Sequence, residues 1–568
     1  MTTPTASYAA GTSDRPLLGD TIGACLNRIS STHAQRLALV ARHQRQRYTY
    51  GALRTEVDRV ARALMAIGLR RGERVGLWSP SCAQWLLLQY AAAKIGAVLV
   101  TINPAYRRHE LDHILQQSGV AALFSVHRST AQDHEEVLAA RAGGDRLALI
   151  YLDAEETGHG LAWRDFLARC DEVSESGLRV REQTVQFDDP ACVLYTSGTT
   201  GLPKGATLTH HAVVNCGFFV GERLRYTVDD RICLPVPLHH CLGSVMGNLA
   251  ALSHGSCVVL PGEAFDPSTC LQAIHGEACT ALYGVPTMYI SLLRHRLRAA
   301  DVVSSLRTGI IAGAPCAADL MREIVSDLHM PEITCCYGMT ETPPVTQTMP
   351  DDSLEARVST VGMVQAYMEC KVVDPHDGSV VPRGTPGELC ARGYGVMVGY
   401  WGDPNLTGEV IDGQRWIHTG DLALMQADGH VSIVGRLKEM IIRGGENVGP
   451  REIEDVLHTH PQVWDAYVVG VPDADYGEEL CACIRLREGA TATDVEVRRH
   501  CRERLAAHKV PRYIQFRSEF PMTATGKVQK YRLRDLAVTE LGLLSDSVRP
   551  EVVVAPRFER GMETLQSD

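Results

Sequence analysis

The chain has 568 residues, of which 45% are hydrophobic and 22% charged, a balance typical of a soluble globular protein with large cores. This length is several times that of a typical domain, so more than one domain is expected. Lys and Arg number 56 against 67 Asp and Glu, a formal net charge of −11. No basic run appears either, and both observations argue against a nucleic-acid scaffold held by a basic face.

No part of the sequence resembles a membrane span or a secretion signal. The longest apolar stretch, residues 85–102, is interrupted by Gln89 and Lys94 and contains Gly96, so a buried helix followed by a strand fits it better. Residues 1–16 have neither a basic start nor an apolar core. The eighteen cysteines are scattered without a CxxC pair, which indicates buried thiols in a reducing compartment. We therefore expect a cytoplasmic protein.

Helix and strand patterns alternate along the first third of the chain. Apolar residues recur at helical spacing from Leu53 to Ile67, and residues 74–79 and 97–102 read as strands. The alternation resumes at about residue 190 and continues to about residue 330. Such alternation predicts mostly parallel sheets covered by helices on both faces.

The remainder of the chain has a different character. Short β-rich runs with frequent glycines fill residues 360–435, which suggests a barrel-like or mixed β region. Pro450 opens a helix that Pro461 closes, two strand-like runs follow, and Thr493 with Glu496 forms a capping box. These patterns predict a small α+β domain. The domains are placed at residues 1–436, 437–545 and a tail at 546–568.

Residues 195–206 (YTSGTTGLPKGA) carry the most informative motif. An apolar strand at 191–194 leads into a loop with three glycines, four hydroxyl side chains and one lysine. Glycines let backbone N–H groups turn inward, and the hydroxyls and lysine add donors, so the loop suits a bound phosphate. Its spacing differs from that of a Walker A loop. A flexible surface turn is the competing interpretation, but the strand leading in and the absence of acidic residues argue against it.

The segment TSGTTGLPKG resembles the phosphate-binding signature of the adenylate-forming (ANL) superfamily, which includes acyl-CoA synthetases and other AMP-binding ligases. The resemblance spans roughly residues 47–541. TPGELCARGYGVMVGYW, KEMIIRGGEN and PLHHCLGSVMG look like segments of the medium-chain fatty acyl-CoA synthetase type. The resemblance implies an α/β protein with a large N-terminal part of two α/β subdomains plus a distorted β-barrel. It also implies a small, mobile α+β C-terminal domain.

The resemblance assigns roles to residues in these motifs. In YGMTE, Tyr337 is expected to stack on adenine, Thr340 to contact the α-phosphate, and Glu341 to hold Mg²⁺. A hard cation on oxygen ligands suits a triphosphate substrate. In WIHTGD, Asp421 is expected to accept hydrogen bonds from the ribose hydroxyls, since a vicinal diol offers two donors to a carboxylate. The GRLK motif supplies Arg436 as the second ribose contact.

The implied nucleotide- and CoA-binding residues are Thr196, Ser197, Gly198, Thr199, Thr200, Lys204, Gly313, Ala314, Pro315, Tyr337, Gly338, Asp421, Arg436, Lys438 and Gly445. Lys438 occupies the family's hinge position, and Gly445 lies in the loop beside the pantetheine channel. The implied catalytic residues are Lys527, Thr340, Glu341 and His240. Lys527 belongs to the C-terminal signature and would reach the carboxylate and the α-phosphate.

The implied reaction has two steps and uses ATP, Mg²⁺ and CoA. A carboxylate attacks the α-phosphorus of ATP to give an acyl-adenylate and pyrophosphate; a thiolate then takes the acyl group and AMP leaves. Since two anions meet in the first step, positive charge from Mg²⁺, Lys204 and Lys527 is the main requirement. The expected partners are a small-molecule carboxylic acid and CoA, with an acyl carrier protein as a further candidate. The protein is expected to be a monomer or a homodimer.

The acyl pocket is expected near His240, Gly243, Tyr283, Gly313 and Val345. Amino-acid adenylation domains have an aspartate where His240 stands, so an α-amino acid is disfavoured. Neighbouring Leu, Val and Met residues favour an apolar fatty or aryl acid.

Four positions depart from the family pattern, namely Pro343, Gly449, Met363 and Ala366. They lie on the substrate and acceptor sides, so a carrier-protein thiol or a nitrogen nucleophile stays open as the acceptor. A luciferase-like oxygenase is a further alternative, although nothing in the sequence requires oxygen chemistry. A non-catalytic nucleotide-binding protein would be expected to have lost Glu341 or Lys527, and both are present.

Overall fold

The computed structural model describes residues 5–127, 138, 147–153, 160–196, 203–296, 303–314, 316, 318–443, 446–473, 475–505, 507–522 and 528–543. The chain forms two compact units, Met1–Leu437 and Lys438–Asp568. Several expected site residues lie outside the described residues: Ser197, Gly198, Thr199, Thr200, Pro315, Gly445 and Lys527. The expected tail at 546–568 also lies outside them.

The first sheet of the large unit has eight strands among the described residues. In spatial order they are Gly399–Tyr400, Lys204–Thr209, Pro190–Thr196, Val98–Ile102, Arg74–Trp78, Val120–Ser125, Ala148–Tyr151 and Leu161–Ala162. Pairing is parallel from Pro190–Thr196 onward, and the first two strands are antiparallel additions at one edge. Every residue of Val98–Ile102 is buried, as expected for a strand covered on both faces.

The second sheet of the large unit has nine strands within the described ranges. In spatial order they are Met363–Val364, Thr342–Gln347, Glu332–Met339, Thr308–Ala312, Ala281–Gly284, Arg231–Cys233, Cys257–Leu260, Leu37–Ala41 and Gln46–Thr49. The six central strands are parallel and the edges are antiparallel. The helix Ala83–Ile95, buried on nearly every side, contacts strands of both sheets and so fills the space between them.

A third, antiparallel sheet completes the large unit. Its strands are Tyr8–Ala10, Met368–Val373, Gly387–Gly393, Ile417–Met425 and Val431–Arg436. This curled half-barrel, together with two mixed α/β sheets, confirms the expected fold class.

The helices of the large unit begin and end at residues suited to those positions. Thr21, Thr49 and Thr209 accept hydrogen bonds at helix N-termini, while Gly96 and Gly255 take the left-handed conformation at C-termini. The described α-helices are Ile22–Thr32, Tyr50–Ala66, Ala83–Ile95, Arg108–Ser118, Trp163–Ala168, Glu175–Glu182, His210–Arg223, Asn248–His254, Pro267–Glu277, Pro286–Arg296, Ala318–Asp327, Leu354–Ser359 and Pro404–Val410.

The small unit is an α+β structure with its own core. Its strands are Glu446–Val448, Ile441–Arg443, Gly477–Leu486, Val463–Asp473 and Tyr513–Phe516. Its α-helices are Pro450–His458, Asp494–Arg502 and Lys530–Glu540. The expected capping box is present, because Thr493 and Glu496 accept from each other's backbone N–H groups. Among the described residues of the whole chain, no helix has the length and apolarity needed to cross a membrane.

Candidate active site

The glycine-rich motif begins and ends on paired strands. Thr196 closes Pro190–Thr196 and Lys204 opens Lys204–Thr209, and these two residues are partners in the antiparallel ladder. The sheet therefore fixes both ends of residues 197–202, which themselves lie outside the described residues.

Beside Lys204 lies a group that we call the phosphate-end cluster, made of Lys204, Tyr400 and Glu341. The Lys204 Nζ is 5.7 Å from the centroid of the Tyr400 ring, and the Tyr400 hydroxyl donates to Glu341 Oε1 at 2.7 Å. Burial and the Glu341 carboxylate raise the pKa of Tyr400, so the phenol stays a donor. Thr340 and Glu341 form the turn between Glu332–Met339 and Thr342–Gln347.

The donor set of this cluster fits a hard cation. Glu341 is buried, with 7% of its surface exposed, and Tyr400 donates to only one of its two carboxylate oxygens. Mg²⁺ binds through one or two carboxylates together with substrate phosphates. Glu341 Oε2 is therefore the atom of this cluster suited to hold Mg²⁺, next to the lysine at the end of the phosphate motif.

A second group, the sugar-end cluster, consists of Tyr337, Asp421 and Arg436. The Tyr337 hydroxyl donates to Asp421 Oδ2 at 2.6 Å, and Arg436 Nε lies 2.8 Å from Asp421 Oδ1. Asp421 and Arg436 are ladder partners on neighbouring strands, and Asp421 is only 5% exposed. Burial and the neighbouring Asp421 raise the pKa of Tyr337. Because each carboxylate oxygen has two lone pairs, Asp421 keeps acceptor capacity for a diol.

Gly338 is required by close backbone packing next to Tyr337. A Cβ at this position would lie 2.9 Å from the Pro344 Cα and 3.0 Å from the Thr342 oxygen. The ladder between the two strands also shifts register between Tyr337 and Met339. Because of this irregularity, the Tyr337 side chain contacts the sugar-end cluster, whereas Glu341, in the turn that follows, belongs to the phosphate-end cluster.

The expected adenine wall begins where the strand Thr308–Ala312 ends. Gly313 has φ = +85°, a conformation that glycine adopts without strain, and both Gly313 and Ala314 are exposed. This pair therefore offers backbone rather than side-chain bulk at the carboxyl end of the strand.

Among the expected acyl-pocket residues, Gly243 lies in a π-helix, Leu242–Gly247, and His240 and Tyr283 form hydrogen bonds with it. The His240 Nδ1 accepts from the Leu242 N–H at 3.2 Å, and the Tyr283 hydroxyl donates to the Met246 oxygen at 3.0 Å. A Cβ at Gly243 would lie 2.4 Å from the Pro237 oxygen, so only glycine fits there. Such wide turns occur often at functional sites, because they move side chains out of helical register.

The region around the π-helix is apolar, and its half-buried His239 has a lowered pKa. Tyr283, Val345, Leu242 and Met246 belong to one buried hydrophobic cluster. Burial, aided by neighbouring His240, lowers the pKa of His239 to about 3. The region is therefore suited to an apolar group.

Sequence reasoning missed Tyr400, which joins Lys204 to Glu341. Tyr400 lies in the GYW segment, which resembles the family but has no residue role assigned by that resemblance. The remaining expected residue among those described, Lys438, is exposed in a short 3₁₀ turn, Leu437–Glu439, and begins the small unit.

Comparison with known proteins identifies the family of the chain. The AMP-binding enzyme family matches residues 26–401, and the AMP-binding enzyme C-terminal domain matches residues 452–527. Because the first match covers more than half of the chain, the protein belongs to the AMP-binding enzyme family. It is an adenylate-forming ligase.

Individual relatives cover nearly the whole chain. YngI of Bacillus subtilis, which its name assigns to the acyl-CoA synthetases, is 41% identical over 545 residues, 93% of this chain and 99% of its own. The mitochondrial medium-chain acyl-CoA ligase ACSF2 of Danio rerio is 41% identical over 559 residues, 95% of this chain and 92% of its own.

Two solved structures are also similar. ATP-bound MatB of Rhodopseudomonas palustris is 29% identical with a TM-score of 0.81, covering 92% of this chain and 100% of that chain. The amide bond synthetase McbA of Marinactinospora thermotolerans is 27% identical with a TM-score of 0.79, covering 91% and 99%.

Proposed function

We propose that the protein activates an apolar carboxylic acid with ATP to an acyl-adenylate, releases pyrophosphate, and transfers the acyl group to CoA. The observation that carries this proposal is the presence of both clusters in one unit: the phosphate-end cluster suits metal-bound phosphates, and the sugar-end cluster suits a ribose diol. The choice of a carboxylic acid and of CoA as substrates is inferred from the acyl-CoA ligases to which the chain is similar.

In the first half-reaction a carboxylate oxygen forms a bond to the α-phosphorus, and the bond from that phosphorus to the bridging oxygen breaks. Pyrophosphate leaves with the electron pair. Lys204 would bind phosphate oxygens, Thr340 would contact the α-phosphate, and Lys527 would approach the reacting oxygens. Glu341 would hold Mg²⁺, which would neutralise charge on the phosphates. Fixed positive charge of this kind is the dominant requirement when two anions react.

In the second half-reaction the sulfur of CoA attacks the acyl carbonyl carbon, and AMP leaves. The nucleophile needs the position that Lys527 held, so we propose that the small unit moves between the two steps about Lys438. Gly445 would then lie beside the pantetheine. His240 and the apolar residues around the π-helix Leu242–Gly247 would hold the acyl chain and keep water from the adenylate.

ATP–pyrophosphate exchange over a panel of carboxylic acids tests the proposal. The panel contains short, medium and long saturated acids, an aryl acid, and an α-amino acid as the control expected to fail. Exchange with an apolar acid, followed by thioester and AMP formation when CoA is added, supports both steps. Absence of exchange with every acid would overturn the proposal.

An amide-forming ligase is the second candidate. It is favoured by the similarity to the amide bond synthetase McbA and by Gly449, which stands where the family commonly has tyrosine beside the thiol channel. The same exchange assay with amines or a loaded carrier protein in place of CoA separates this candidate from the first. A product that forms faster with an amine than with CoA would favour it.

We further propose a cytoplasmic location and a monomeric or homodimeric state. All eighteen cysteines are free thiols and seventeen are buried, which suits a reducing compartment.

A further inference from the structure

The strand that carries Asp421 is irregular immediately before that residue. Cys390 pairs with His418 and Glu388 pairs with Leu422, so three residues, 419–421, lie opposite Leu389 alone. Gly420 in this stretch has φ = +70°. We call residues 419–421 the ribose bulge. A bulge redirects side chains relative to the regular strand, and here the redirected side chain is Asp421.

Three hydrogen bonds hold the ribose bulge in place, two of them to the neighbouring strand and one within the bulge. Glu388 Oε1 accepts from the Gly420 N–H at 3.1 Å, and the Thr419 hydroxyl donates to the Leu389 oxygen at 2.7 Å. The Asp421 N–H donates to the Thr419 hydroxyl oxygen at 3.1 Å. Two oxygens of the neighbouring strand accept hydrogen bonds from the bulge. The Glu388 oxygen belongs to a side chain, and the Leu389 oxygen belongs to the backbone.

The other oxygen of Glu388 holds a histidine. Glu388 Oε2 lies 2.7 Å from His418 Nδ1, and Glu388 is only 8% exposed. The Cys390 Sγ lies 3.5 Å from the same nitrogen, and burial raises the pKa of this thiol. A buried carboxylate is costly unless it is paired and hydrogen-bonded. Glu388 has a partner on each oxygen, so its position is well defined, and that position defines the bulge.

We propose that Glu388 is a positioning residue for nucleotide binding: it holds Gly420 with one oxygen and His418 with the other, and thereby fixes the ribose bulge that presents Asp421 to the ribose hydroxyls. The inference rests on the proposed function, since it takes Asp421 as the ribose contact. It adds a residue that acts through Asp421 rather than on the nucleotide itself.

Paired nucleotides test the inference without turnover. Calorimetry would give the dissociation constants of ATP and of 2′,3′-dideoxy-ATP for the wild type, Glu388→Ala, Glu388→Gln and Asp412→Asn. We expect Glu388→Ala to weaken the binding of ATP about tenfold, which is the effect of one lost positioned hydrogen bond. The same variant should weaken the binding of the dideoxy nucleotide less than about twofold. Glu388→Gln keeps an oxygen that can accept from the Gly420 N–H. Its ATP dissociation constant should therefore lie, on a logarithmic scale, at least halfway back from that of Glu388→Ala to that of the wild type.

Asp412→Asn is the matched control. The Asp412 Oδ2 lies 4.0 Å from His418 Nε2, on the other side of the ring from Glu388, so this change also removes a negative charge beside the histidine. We expect it to leave the affinity for both nucleotides unchanged. Equal weakening of ATP and of the dideoxy nucleotide by Glu388→Ala would indicate a merely structural role and overturn the inference. No weakening of either nucleotide would also overturn it.

Asp421→Ala distinguishes failure of the inference from failure of its premise. If Asp421→Ala weakens ATP but not the dideoxy nucleotide while Glu388→Ala fails to do so, the inference alone is wrong. If Asp421→Ala weakens both nucleotides equally, the ribose contact is wrong and the inference falls with it. Wild-type ATP–pyrophosphate exchange then shows whether the proposed reaction survives.

Discussion

The two ends of the candidate nucleotide site are held to different degrees. At the sugar end, each oxygen of Asp421 already has a donor, and the ribose bulge is fastened by three hydrogen bonds. At the phosphate end, Glu341 has a donor on one oxygen, and Lys204 has no carboxylate within ion-pair distance among the residues that the structure describes.

The difference suits the two chemical tasks that we propose for these clusters. The ribose is unchanged through the reaction, so a rigid, preorganised acceptor can recognise it at every stage. The phosphates change from ATP to adenylate and AMP, and pyrophosphate must leave. Lys204 and the second oxygen of Glu341 are therefore available to phosphate and metal. Changes at the phosphate end should therefore affect rate, and changes at the sugar end should affect nucleotide affinity.

The largest effect is expected from Glu341→Gln. The amide keeps the shape but removes the charge that suits Mg²⁺, so we expect ATP–pyrophosphate exchange to fall about 10²–10³-fold. Glu332→Gln is the matched control. Glu332 lies on the preceding strand, forms an ion pair with Arg307 at 2.6 Å, and is not a member of the phosphate-end cluster. Exchange within a few-fold of wild type for Glu341→Gln would remove Glu341 as the metal ligand.

A substitution at the proposed hinge residue should leave the phosphate-end and sugar-end clusters unchanged. Lys438→Pro restricts φ at the first residue of the small unit. We expect thioester formation to fall about tenfold, which corresponds to about 1.4 kcal/mol of barrier, with ATP–pyrophosphate exchange within about threefold of wild type. Lys438→Ala removes the side chain without the backbone restriction, so any loss that the two variants share comes from the side chain and any further loss in Lys438→Pro comes from the backbone. Equal loss in both for Lys438→Pro would contradict the hinge assignment.

Two tyrosine-to-phenylalanine changes compare the ends directly. Tyr400→Phe removes the hydrogen bond to Glu341 and should lower kcat about three- to tenfold and raise the Mg²⁺ concentration needed. Tyr337→Phe removes the hydrogen bond to Asp421 but keeps the ring, so the KM for ATP should rise about threefold with kcat unchanged. The measurement is initial rate against ATP and Mg²⁺ varied separately. The same pattern for both variants would mean that the ends do not differ in role.

Local signals in the sequence predicted much of the fold. Residues 74–79 and 97–102 were expected as strands and form Arg74–Trp78 and Val98–Ile102, and the helix expected from Pro450 runs over Pro450–His458. The cysteines were expected as buried thiols, and seventeen of the eighteen are buried. These features depend on apolar patterning, proline placement and capping, which act over a few residues.

The arrangement within the site could not be predicted in the same way. Tyr400 reaches Glu341 across 59 positions of the chain, and Tyr337 reaches Asp421 across 84. The ribose bulge depends on which residues two strands place opposite each other, and the π-helix Leu242–Gly247 carries no distinctive local pattern. The resemblance supplied the residue types of the site, whereas their pairing follows from tertiary register.

The smallest effect is expected in the pH dependence of stability at the Glu388–His418 pair. The hydrogen bond and the charge of Glu388 raise the pKa of His418, and Asp412 raises it further, while burial and, to a smaller extent, Lys371 oppose the shift. The folded protein thus binds this proton more tightly than the unfolded chain. The stabilisation is present in full below the unfolded pKa of about 6.5 and is lost as pH rises through the folded pKa.

Comparison of wild type with His418→Gln by thermal denaturation over pH 5.5–9 isolates this contribution, because glutamine does not titrate. The His418 side chain is 35% exposed, so solvent screening limits the change in the Tm difference to about 1–2 °C. The wild type should gain most at the acidic end. A Tm difference that grows with rising pH would mean that His418 is neutral beside Glu388, and that the sugar end is held by hydrogen bonds without a charge pair.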